Sequence, residues 1–110
     1  MSIVSEKNVS DALAYLAIDP HPIALAKKDV TDAENEAKEL YAQAFLDATG
    51  SVAAKEAAAT VEPCVIAAKD GEAAAIMALE RHKARVKAAE MLIEVWRSEN
   101  ANVRAAERVR

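Results

Sequence analysis

Chain breakers are nearly missing from this sequence. It has two glycines and three prolines in 110 residues. Turn-rich all-β architectures need far more of both, so a sandwich or barrel is excluded. Aromatics are equally scarce: Tyr15, Tyr41, Phe45 and Trp96 are the full set. A core built on large rings is therefore ruled out, and so is a surface of repeated aromatic stacking platforms. Cys64 is the only cysteine. No disulfide can form within the chain, and no cysteine-rich metal signature exists. His21 and His82 are 61 positions apart and supply no metal spacing. No stretch approaches the roughly 18 uncharged apolar residues needed to span a bilayer. The N-terminal MSIVSEKNVSD has neither the basic start nor the apolar run of a signal peptide. These features imply a cytoplasmic protein with no membrane contact.

What is present is alanine, 27 residues of it. Alanine loses no side-chain entropy on entering a helix and is the strongest helix former. The fold class follows: all-α, a short N-terminal helix plus long helices in a hairpin or bundle. Half of the 53% hydrophobic fraction is alanine, which buries little area. The core of one domain spanning residues 1–110 is therefore thin. Small domains with thin cores often gain stability from a second chain. A homo-oligomer, with a dimer favoured, is expected on this ground alone.

Periodicity places the elements. A first helix fits residues 9–17, with Asn8 as cap and Val9, Ala12, Leu13, Leu16 and Ala17 on one face. Asp19-Pro20-His21-Pro22 ends it, because each proline pushes the preceding residue out of the helical region. A second helix fits residues 23–48. Its apolar stripe is Val30, Ala33, Ala37, Leu40, Tyr41, Ala44, Phe45 and Ala48, and its outer face carries Asp29, Asp32, Glu36 and Glu39. Gly50 lies where a C-terminal cap is wanted, and Ser51 can cap the next helix. A long third helix is expected over residues 51–97, kinked or restarted near Pro63. From Val61 a 3-4 spacing continues through Val65, Ala68, Glu72, Ala75, Leu79, His82, Val86, Ala89, Ile93 and Trp96. That is a coiled-coil-like seam. Its phase survives Gly71. From Pro63 to Arg97 the helix would be roughly 50 Å long at 1.5 Å per residue. A last short helix is expected over residues 99–109.

Few residues carry chemistry. His82, inside the seam, reads as a register-setting polar residue or a pH-sensitive contact. His21 reads as a turn residue. Cys64 has no base or orienting partner in reach of sequence reasoning and reads as a small buried apolar group. Glu34, Glu36 and Glu39 look solvated rather than paired for acid–base work. No catalytic, cofactor or metal site is expected, and the chain does not read as an enzyme.

Charge is unevenly spread. Residues 1–80 hold 6 Lys/Arg and 14 Asp/Glu, whereas residues 81–110 hold 8 Lys/Arg and 4 Glu. Arg81 and Arg85 form one basic stripe, and Lys83 and Lys87 another. Arg97, Arg104, Arg108 and Arg110 continue the basic character. Arg81, Lys83, Arg85 and Lys87 are the candidate nucleic-acid contacts. The oligomer or partner interface falls on the seam: Leu79, His82, Val86, Ile93 and Trp96. Tryptophan is the residue type most enriched at interface hot spots.

One resemblance adds to this. The run Ala44-Phe45-Leu46-Asp47-Ala48-Thr49-Gly50-Ser51-Val52-Ala53-Ala54-Lys55-Glu56-Ala57 precedes a long alanine-rich helix. That helix ends Ile93-Glu94-Val95-Trp96-Arg97-Ser98 and leads into an Arg/Glu tail. The pattern, over residues 37–108, resembles small helical proteins of phage and prophage early gene regions. Those often lie beside single-strand annealing or single-strand-binding genes. The resemblance implies a setting in phage DNA recombination or replication in the host cytoplasm. It carries over no functional residue. Three functions are then in play. The first is a self-associating accessory factor acting through protein–protein contacts. The second is a direct DNA-binding protein using the basic C-terminal third. The third is an inhibitor of a host defence or host enzyme, with Asp29, Asp32, Glu34, Glu36 and Glu39 as an acidic mimic of nucleic acid.

Overall fold

A computed structural model describes residues 4–109. Arg110, read above as part of the basic tail, and the first three residues lie outside the described residues. Four helices follow one another: α1 (Glu6–Leu16), α2 (Pro22–Asp47), α3 (Val52–Val61) and α4 (Pro63–Val109). No strand occurs among the described residues. The fold is all-α, as the alanine content demands.

The helix boundaries follow from local chemistry. The cap of α1 is Ser5, not Asn8. Its backbone is extended (φ −79°, ψ 152°), and its hydroxyl accepts the Asn8 N–H at 3.1 Å. Serine caps as well as asparagine does, and nothing between Ser5 and Val9 breaks a helix. A Lys7–Asp11 ion pair at 3.1 Å also bridges that first turn to the next. The turn after α1 contains a cis peptide bond at Asp19-Pro20. Pro22 then opens α2, a first-turn position where a missing N–H removes nothing the helix would use. Gly50 has φ 108°, a conformation that a side chain would strain. Ser51 caps α3, accepting the Ala54 N–H at 3.2 Å.

Of the kink or restart expected at Pro63, the restart forms: residues 51–97 are shared between α3 and α4. Glu62 is extended (φ −61°, ψ 126°), because the ring of Pro63 bars it from the helical region. Its carbonyl oxygen then accepts the N–H groups of both Val65 and Ile66 at 3.0 Å, which starts α4 afresh. From Pro63 the helix runs for 47 residues, through Gly71 and past Ser98 and Asn100. The separate helix over 99–109 is therefore part of α4. Capping residues inside a helix cost only tenths of a kcal/mol each, and no proline or glycine enforces a stop there.

The contacts of the chain, expected to form one domain, gather in two compact units. One unit joins the chain up to Pro22 with the chain from Arg81 onward, so it pairs α1 with the C-terminal part of α4. Its core is Val4, Val9, Ala12, Tyr15, Ala89 and Ile93, with Leu16, Val86, Leu92 and Trp96 packed against it. The other unit is Ile23–Glu80. It buries Ala26, Ala37, Ala59 and Val65, the last at 0% exposure. Every residue of the expected α2 stripe is buried or half-buried, and Asp29, Asp32, Glu36 and Glu39 are exposed. Likewise the 3-4 seam is the covered face of α4 from Val65 to Trp96, while Val61, which ends α3, is exposed. Among the described residues, half of the ten that are buried are alanines. The core is as thin as the composition implies.

Candidate functional site

The seam residues expected at a contact between chains are largely taken up within the chain. Val86, Ile93 and Trp96 pack with α1 in its core cluster. Their covered area is spent on α1 while it stays docked, and Val86 and Trp96 remain half-buried. Leu79 and His82 are half-buried on the same face of α4. An amphipathic seam reads alike whether its partner is the same chain or another, so sequence alone could not separate the two cases.

The basic stripe has a different fate. Arg81, Lys83, Arg85 and Lys87 are all exposed on α4. Arg85 is nevertheless tied down: its guanidinium lies 4.0 Å from the centroid of the Tyr15 ring. Tyr15 is itself buried, and its other close ring neighbour is His21, in an edge contact at 4.9 Å. His21 is thus more than a turn residue, because it closes one side of the unit's only buried ring. The Tyr15 hydroxyl is buried and makes no hydrogen bond among the described residues.

The same pairing of ring and cation recurs in the other unit. Lys55 sits 5.6 Å from the Phe45 centroid and Lys69 sits 5.8 Å from that of Tyr41. Each such contact is worth roughly 0.5–1 kcal/mol at an exposed site. Three of the four aromatic rings are thereby capped by cations of the chain itself. A base stacking on any of them would first have to displace a cation.

Cys64, expected to be buried, is exposed. It edges a groove of about 300 Å³ together with Leu40, Gln43, Ala44, Asp47 and Glu62. Its Sγ lies 4.0 Å from Glu62 Oε1. Neither an imidazole nor a cation lines the groove, so nothing there holds a thiolate or orients a base. Glu34, Glu36 and Glu39 do not converge either; Glu36 and Glu39 are exposed and Glu34 is half-buried beside Lys38 and Lys69. On the same helix Lys28 Nζ donates to Asp32 at 2.7 Å, which holds the Lys28 ammonium above the ordinary lysine range. Among the described residues no three His, Cys, Asp or Glu side chains come together as a metal site. No described helix is long and apolar enough to cross a membrane.

What the surface does present is apolar side chains. Among the described residues thirteen large ones are exposed, and five residues other than alanine are buried. Met91, Val95, Val103 and Val109 lie on α4 in the unit with α1; Leu46, Val52, Val61 and Ile66 lie near the helix ends of the other. No protein-family model, curated protein or solved structure matches the chain.

Proposed function

We propose that this chain is a non-enzymatic helical interaction protein that self-associates and acts through protein–protein contacts. The observation that carries the reading is the number of large apolar side chains left exposed, thirteen among the described residues, against five that are buried. Apolar area left in water is a standing drive to associate, about 25 cal/mol per Å² once covered. In the setting implied by the sequence resemblance, it is an accessory factor of phage DNA recombination or replication.

The capped aromatic rings favour this reading over direct DNA binding. Arg85, one of the four candidate phosphate contacts, is engaged with Tyr15. The 14 acidic residues of the first 80 would also repel a phosphate backbone. The test is an electrophoretic shift with single- and double-stranded DNA over a salt series. Weak or undetectable binding at physiological salt is expected. Replacing Arg81 and Lys83, both exposed and outside the interface proposed below, by glutamate should leave capture of protein partners intact after nuclease treatment. A tight wild-type complex with DNA that weakens steeply with salt, and that the double change abolishes, would overturn the proposal and make this a DNA-binding protein.

A further inference from the structure

Besides the seam that faces α1, α4 carries a second apolar stripe on its solvent side. From Ala84 it steps by four and three through Ala88, Met91, Val95 and Ser98 and reaches Val109 in phase. Every one of these is exposed, Met91 at 59%, Val95 at 41% and Val109 at 87%. Val86 and Ile93, which pack toward α1, sit on the opposite side of the helix. A stripe with this spacing keeps one line of side chains against a neighbouring helix turn after turn. The chain's own helices leave this line uncovered.

Charge decides what fits it. Lys87 and Glu94 lie seven residues apart on one edge of the stripe, and Glu94 also reaches Arg97 of its own helix at 3.9 Å. If a second copy paired in parallel, Lys87 would face Leu92 of that copy and find no opposite charge. If it paired antiparallel, with Ala88 layered on Met91, Lys87 would meet Glu94 of the second copy. The two-fold axis would repeat that attraction. With Lys87 and Glu94 seven residues apart, that edge is self-complementary in the antiparallel orientation. Ala84 and Ala88 also let the two backbones approach closely.

We infer that the outer face of α4 from Ala84 to Val95 is the interface of an antiparallel homodimer, centred between Ala88 and Met91. This rests on the reading of the chain as a self-associating interaction protein and assigns that association to one surface. α1 stays docked on the inner face, so dimerisation leaves the core of each copy intact.

The experiment is sedimentation equilibrium of the full chain from about 1 to 200 µM, with circular dichroism on every variant. Wild type is expected to dimerise. Met91→Glu should give monomers of unchanged helical content, because that side chain is exposed in the free chain. Lys87→Glu and Glu94→Lys should each weaken dimerisation about tenfold, since each turns two attractive contacts into repulsions. The double exchange Lys87→Glu with Glu94→Lys should restore it. A wild-type dimer untouched by Met91→Glu would overturn this face while leaving self-association standing. Single exchanges that weaken the dimer without rescue in the double would overturn the antiparallel register. A wild type that stays monomeric at every concentration would overturn the inference and the self-association behind it, leaving DNA and partner assays to judge the rest.

Discussion

Ile93→Ala should undock α1. Ile93 is 9% exposed and is one of only two buried residues that α4 contributes to that unit's core; the other is Ala89. The change removes three side-chain carbons, about 2.4 kcal/mol at roughly 0.8 kcal/mol per methylene. The cavity left between α1 and α4 adds to this, and measured Ile→Ala losses run about 2–5 kcal/mol. An effect near 3 kcal/mol is expected. α1 is 11 residues long, too short to persist as a helix in water without its docking face. Loss of packing should therefore appear as loss of helix. Amide exchange from Val9 to Tyr15 should speed up by about a hundredfold, at 1.4 kcal/mol per factor of ten. Trp96, the only tryptophan, packs against the same cluster and supplies a second readout through its emission. Amides of α2 near Ala37 should change far less, because their packing lies in the other unit. If α1 kept its protection in the variant, the assignment of its stability to this cluster would be refuted.

Other outcomes follow from single positions. Tyr15→Phe should raise the melting temperature by several degrees, as an unpaired buried hydroxyl costs about 1–3 kcal/mol; a fall would show that the hydroxyl has a partner. Gly71→Ala should stabilise by up to about 1 kcal/mol, because nothing lies within 4 Å of the added Cβ in a helix interior. Gly50→Ala should destabilise by about 1 kcal/mol or more, given φ 108° and a 3.3 Å approach to the Ala54 Cβ. Denaturant titrations of the pair should move in opposite directions; a shared direction would contradict the backbone argument.

The helical class, the stripe of α2 and the inner face of α4 were legible because each depends on spacing within one helix. Val65, Ala89 and Ile93 fell on the covered face without knowledge of what covers them. The start of α1 and the break expected between Arg97 and Glu99 were misjudged for local reasons. Asn8 and Ser5 are equivalent caps, and only the packing of α1 selects between them. At Pro63 the choice between a kink and a restart turns on whether the Glu62 carbonyl can serve the new helix. The interface reading fared differently. The seam was plain, but its occupant was not, since pairing between helices far apart in sequence leaves no local trace. The outer stripe passed unnoticed because its alanines and serine look like ordinary solvent-facing helix.

The order of the two units along the chain has a kinetic consequence. The unit that docks α1 is discontinuous: its halves are separated by the whole of residues 23–80. Closing a flexible loop of that length carries a penalty of roughly 3–4 kcal/mol, by the three-halves logarithmic law. The intervening unit is continuous and its helices pair with near neighbours in sequence, the arrangement that folds fastest. If it forms first, the loop is already shortened, and the two halves of the outer unit meet at a much smaller entropic cost. The middle of this protein then acts as an internal template for its own ends, and folding should proceed from inside the sequence outward.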